Sequence, residues 1–162
     1  MKLLRATQKK FQFEIDRTEK HLLFHVLKLY PAVPASHHRL SKDRHIPNRD
    51  ENQHLLDEAL KAQRIEQRKQ IESLLKDPHR FVEFEDGYRI SFTREEIEWL
   101  LQVLNDVRVG SWIALGSPDQ QAEFKKRLTK QAIPHLMAMD VAGFFETNFL
   151  HAITGGTPPG HE

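Results

Sequence analysis

The run Arg80-Phe81-Val82-Glu83-Phe84-Glu85-Asp86-Gly87-Tyr88-Arg89-Ile90-Ser91-Phe92-Thr93 constrains the fold more than any other part of the chain. Phe81, Val82 and Phe84 precede Asp86-Gly87, and Tyr88, Ile90 and Phe92 follow it. Alternation with a period of two belongs to a strand, and Asp-Gly between two such runs predicts a tight hairpin. Thr93-Arg94-Glu95-Glu96 is a capping box, so a helix opens where the hairpin ends. The same period recurs in KKFQFEID, residues 9 to 16, where Phe11, Phe13 and Ile15 alternate with Gln12, Glu14 and Asp16. The two regions together predict a small three-stranded antiparallel sheet.

The rest of the chain reads as helix and loop. Thr18 is the expected N-cap of a helix over roughly 19–30, ended by Pro31 and carrying Leu22, Leu23, Val26, Leu27 and Tyr30 on one face. Residues 31–50 hold three prolines and four Lys/Arg without periodicity, which predicts a flexible loop. A long helix follows over roughly 51–76. It is apolar at Leu55, Leu56, Ala59 and Leu60, polar through KAQRIEQRKQ, and apolar again at Ile71, Leu74 and Leu75. Such a helix crosses solvent at its middle or lies against a partner. The helix opened at Thr93 runs to Leu115 and stops at Gly116, with Pro118 beyond. Another is expected over 119–132. A last helix reaches Ile153 with Leu136, Met137, Met139, Val141, Phe144, Phe145 and Phe149. The expected fold is α+β and mainly α, about five helices with a small sheet, in one domain spanning 1–153. Residues 154–162 are expected to be a disordered tail.

Size and charge narrow the classes of function. A chain of 162 residues is long enough for one domain and its core. The formal net charge is +1, so a general nucleic-acid binder would need a local basic patch. There is no cysteine, which removes disulfides, thiolate chemistry and cysteine-ligated metals. MKLLRATQKKFQFEID lacks the apolar core of a signal peptide, and no apolar run nears the roughly 20 residues of a membrane span. The expectation is a cytoplasmic protein with no membrane partner and no cofactor.

The stretch LNDVRVGSWIALG, residues 104–116, sets an arginine where an apolar face should be. At roughly 100° per residue, Ile97, Leu100, Leu101, Leu104, Val107 and Leu115 share an arc that also holds Arg108 and Ser111. Asn105 and Trp112 flank Arg108, and Asp106 points to the opposite side. Arg108 is therefore expected to be enclosed and paired, with Asp140, Glu146 or Glu83 as candidate partners. The structural reading is an ion pair tying this helix to a neighbour. The functional reading is an anion- or partner-binding set of Asn105, Arg108 and Trp112 at the rim of a pocket. Gly110, Ser111 and Ala114 are expected to admit another helix at close range.

EEIEWLLQVLNDVRVGSWIALGSPD resembles the signature of the bacterial domain-of-unknown-function family numbered twenty-seventeen. In that family a WL…LND-R…LG segment precedes a final helical region. Trp99, Leu100, Leu104, Asn105, Asp106, Arg108, Leu115 and Gly116 match it. TEKHLLFHVLKLYP is similar to the family's first helix, and FFETNFLHAI would be the closing one. The resemblance covers most of the chain, its specific part is residues 95–119, and residues 31–78 match poorly. It implies the fold expectation and a role for the Asn105-Asp106-Arg108 cluster. The family has no settled enzymatic activity. Its genes often lie near that of the Clp-protease adaptor, and regulation through redox-active cysteines cannot apply to a chain without one.

Other constellations have bland explanations. His21 and His25 have a metal-ligand spacing on a helix but lack the Glu of HExxH and fall opposite the apolar stripe, which favours a solvated face. His37, His38, His45 and His54 would join them only if the loop folded back. Glu95, Glu96 and Glu98 suit a helix N-terminus. GxSxG, GxxxxGK[ST] and GxGxxG do not occur. Lys125, Lys126, Arg127 and Lys130 form a basic helical cluster, an ordinary solvated face or a phosphate-binding patch that Arg39, Lys42, Arg44 and Arg49 could extend. Met137, Met139, Phe144, Phe145 and Phe149 read as core, with room for a homodimer contact through the last helix. The residues mark no enzyme. They fit best a regulatory or adaptor-like module with an unidentified protein partner. The alternatives are a nucleic-acid-associated regulator acting through the basic cluster and an enzyme with an anion pocket at Arg108.

Overall fold

The computed structural model describes residues 1–38, 47–118 and 129–155. It is an α+β architecture, mainly helical, with a four-stranded antiparallel sheet and four α-helices among the described residues. The elements are β1 (Lys2–Ala6), β2 (Lys10–Asp16), α1 (Arg17–Lys28), a 3₁₀ turn (Ala35–His38), α2 (Arg49–Lys76), β3 (Phe81–Phe84), β4 (Gly87–Thr93), α3 (Arg94–Ala114) and α4 (Ile133–Thr154). The helix expected over 119–132 lies mostly outside the described residues. Residues 130–132 form a turn entering α4.

The sheet order is β1-β2-β4-β3. Phe11, Phe13 and Ile15 of β2 pair with Phe92, Ile90 and Tyr88 of β4, so both central strands turn their apolar sets to one side. The expected sheet lacked β1. That strand is exposed almost throughout, carries KLLRA and shows no alternation to read. A bulge at Leu4 interrupts its pairing with β2. The hairpin turn also sits one residue earlier than Asp86-Gly87 suggests. Phe84 pairs with Gly87, so Glu85-Asp86 is the two-residue loop and Glu85 takes the positive φ, 51°. Gly87 serves a different purpose, because a Cβ there would stand 2.4 Å from the Ile15 carbonyl oxygen on β2.

Capping fixes where helices begin. Asp16, not Thr18, caps α1: its carboxylate accepts from the Glu19 amide at 2.7 Å, and the Glu19 side chain accepts from the Asp16 amide at 2.9 Å. Thr93 caps α3 as expected, accepting from the Glu96 amide at 3.1 Å. Glu96 also receives both terminal nitrogens of Arg80 at 2.7 Å, which ties the root of the hairpin to the start of α3. The Lys20 ammonium lies over the Tyr88 ring at 4.0 Å and helps seat α1 against β4.

The core lies between the inner sheet face and α1, α3 and α4. Phe149 of α4 meets Phe13 and Phe92 of the sheet, with ring centroids 5.6 and 5.4 Å apart and near-perpendicular planes. On α3 the buried residues are Ile97, Leu100, Val103, Leu104, Val107, Gly110 and Ser111. That arc is rotated from the expected one: it takes in Val103 and Gly110 and leaves Arg108 exposed. No described helix is long and apolar enough to cross a membrane.

Candidate functional site

Helix α2 is held to the body by hydrogen bonds from its polar middle. Arg64 donates to the Val33 carbonyl at 2.6 Å, and Arg68 donates to the carbonyls of Tyr30 at 2.6 Å and Lys28 at 3.2 Å. The Lys28 and Tyr30 carbonyls lie at the C-terminus of α1, where helical acceptors have lost their own donors, and the Val33 carbonyl belongs to the segment that follows. Below that point Gln67, Ile71 and Leu74 are buried. Above it the expected apolar stripe is not buried, and Leu55 is 61% exposed. The polar middle therefore grips the domain, and the apolar N-terminal part stands clear of the core.

Across from α2, helix α3 holds the same connecting segment. The Asp106 carboxylate accepts from the amides of Ala32 at 2.6 Å and Val33 at 3.3 Å. Gly110, one turn on, packs against Ala32. The close approach comes from this segment rather than from another helix. Helical geometry alone put Asp106 on the opposite side from the apolar arc, whereas the family resemblance grouped it with Asn105 and Arg108. The adjacent Val103 and Gly110 were the signals that the buried arc turns toward it.

Between α2 and α3 lies a cleft of about 440 Å³. Leu60, Val33, Val109, Trp112 and Ile113 supply its apolar wall, and Arg64, Gln67, Gln102, Asn105, Asp106 and His37 its polar groups. Tyr30 closes the floor and donates its hydroxyl to Gln67, whose amide donates on to Gln102 at 3.1 Å. Burial pushes the Tyr30 phenol up, Asp106 adds to the rise and Arg64 opposes it, so the group stays a neutral donor. The amide nitrogens of Gln102 and Asn105 donate to no described residue.

Two of the three residues of the expected anion- or partner-binding set line this cleft. Asn105 and Trp112 do; Trp112 also donates to the Pro118 carbonyl at 3.3 Å. Arg108 lies outside it. Its side chain is 44% exposed, where enclosure was expected, and it pairs with Asn105 at 2.9 Å and Glu146 at 3.2 Å. Glu146 was one of the three candidate partners. Lys130 is exposed, whereas Lys125, Lys126 and Arg127 lie outside the described residues, as do Arg39, Lys42, Arg44 and His45. His21, His25 and His54 are exposed on α1 and α2, and no group of three or more His, Asp or Glu among the described residues is placed to hold a metal ion.

Glu146 is raised above the usual carboxylate range, because burial outweighs the Arg108 guanidinium and the hydrogen bond from it. Its Oε1 is buried without a hydrogen-bond partner among the described residues. A carboxyl raised on folding stabilises the fold fully below its unfolded value, and that contribution is lost as pH rises through the folded value. Glu146→Gln should keep or raise the melting temperature at pH 7 and flatten its dependence on pH above the ordinary glutamate range. A melting temperature several degrees lower would mean that the ion pair with Arg108 outweighs the cost of burial.

No family model, no curated protein and no solved structure matches the chain.

Proposed function

We propose that this chain is a regulatory or adaptor-like protein-interaction module that receives an extended segment of a partner protein in the α2–α3 cleft. The observation that carries this reading is the pairing of two kinds of surface there. Trp112, Ile113, Val109 and Leu60 offer apolar contact, and the amide groups of Gln102 and Asn105 have donors to spare. Side-chain amides match the alternating donors and acceptors of a peptide backbone, while an apolar pocket beside them selects a side chain. The free upper part of α2, with Leu55 exposed, extends the surface available to the partner, and Ile65 on the middle of the helix is also exposed.

The proposal includes a cytoplasmic, bacterial protein of the family that residues 95–119 resemble. It also includes a homodimer through α4, supported by a helix apolar on all sides that leaves Ile133, Met137 and Phe144 half exposed. Sedimentation as a monomer at every concentration would remove the dimer.

The test of the cleft is capture from native bacterial lysate on immobilised wild-type protein and on Leu60→Asp, read by mass spectrometry. Leu60 is only partly buried, so circular dichroism should show the same fold for both. The expected result is a protein bound by the wild type and reduced at least tenfold on the variant. Equal capture of every protein by both baits would sink the reading.

A further inference from the structure

The outer face of the sheet, turned away from the core, carries Lys2, Arg5, Lys10 and Arg89 against the carboxylates of Glu14 and, at the end of β2, of Asp16, which caps α1. The register places them in rows: Lys2 opposite Glu14 opposite Arg89, Arg5 opposite Gln12 opposite Ser91, and Lys10 opposite Thr93. The whole chain is only +1, so positive charge is concentrated here. None of the four cations has a carboxylate within 4.0 Å among the described residues.

Two further features point to a ligand. Arg5, Lys10, Thr7, Gln12 and Ser91 line a cleft of about 260 Å³ next to the β1 bulge, where two cations, the Ser91 hydroxyl and the Gln12 amide could serve an oxyanion, while the Thr7 hydroxyl is held by the Lys10 backbone. The Arg89 guanidinium lies 3.5 Å from the centroid of the Phe84 ring, and its buried Nε has no hydrogen-bond partner among the described residues.

We infer that this face binds a single-stranded nucleic acid. Same-face residues on a strand repeat at roughly 6–7 Å, close to the spacing of successive phosphates in an extended strand. The cations are spread over three strands, which suits a polyanion better than one small anion. The Arg89–Phe84 stack supplies a flat platform for a base, as open sheets use. This surface is separate from the α2–α3 cleft.

The experiment is fluorescence anisotropy with a labelled oligouridylate of about fifteen nucleotides, a length chosen to span several sites. Arg5→Glu/Lys10→Glu is the main variant, at two exposed positions whose reversal leaves the core untouched. Binding should weaken on the order of 20-fold between 50 and 200 mM salt if about three phosphates are neutralised. The double variant should lose at least tenfold, and Phe84→Ala several-fold, at unchanged melting temperature. Leu60→Asp should bind the oligonucleotide like the wild type, which keeps this test apart from that of the cleft. Absence of binding at 50 mM salt would overturn the inference. So would binding that survives the double variant but falls with Lys125→Glu/Lys126→Glu, or binding to phosphatidylserine vesicles in place of the oligonucleotide.

Discussion

Phe149→Ala is expected to cost about 3–5 kcal/mol, the usual penalty for truncating a phenylalanine in a sealed core. The ring is fully buried and meets Phe13 and Phe92 edge-on, so its loss separates α4 from both central strands at once. For a chain of this length the melting temperature should fall by about 10 °C or more. Phe144→Ala is the control. It removes the same atoms five residues earlier on the helix, but from a ring that is 42% exposed, and should change stability little in the monomer. Thermal melts of both variants check the pair. A loss below about 1 kcal/mol at Phe149 would show that α4 is not clamped to the sheet as described.

Much of this core was legible because its elements follow a single period. The alternation of Phe11, Phe13 and Ile15 and of Tyr88, Ile90 and Phe92 located two strands and their inner faces. The Thr93–Glu96 capping box located the start of α3 to the residue. What stayed hidden depends on contacts between distant segments. β1 is an edge strand whose side chains mostly face water, so burial left no pattern in it. Asp106 reads as solvent-facing until Ala32 and Val33, 74 and 73 residues away, are known to place their amides against it. The polar middle of α2 reads as exposed for the same reason, because Arg64 and Arg68 spend their donors on backbone carbonyls that carry no sequence signature. For the candidate site, Asn105 and Trp112 were within reach of helical geometry. Arg108 was misplaced because the apolar arc was drawn without Val103, which turns it toward the connecting segment.

Gly110→Ala should destabilise the protein by about 2–4 kcal/mol, although alanine is intrinsically the better helix former by about 1 kcal/mol. A Cβ at Gly110 would lie 2.4 Å from the Ala32 carbonyl carbon and 2.5 Å from its Cβ. The obstacle is backbone, so no rotamer change relieves it, and the segment at 31–33 must move off α3. That movement breaks the bonds from Ala32 and Val33 to Asp106 and disturbs the one from Arg64 to Val33, each of which involves a charged group. Asp106→Ala alone should be milder, and the double variant should cost less than the sum of the singles, because both act through the same contact. Gly143→Ala supplies the opposite sign. A Cβ there meets nothing within 4 Å, so helix propensity should act unopposed and raise stability by up to about 1 kcal/mol. Urea melts of the four variants separate these terms. If Gly110→Ala stabilised the chain as Gly143→Ala does, the close contact between α3 and the segment after α1 would be wrong, and with it the floor of the cleft.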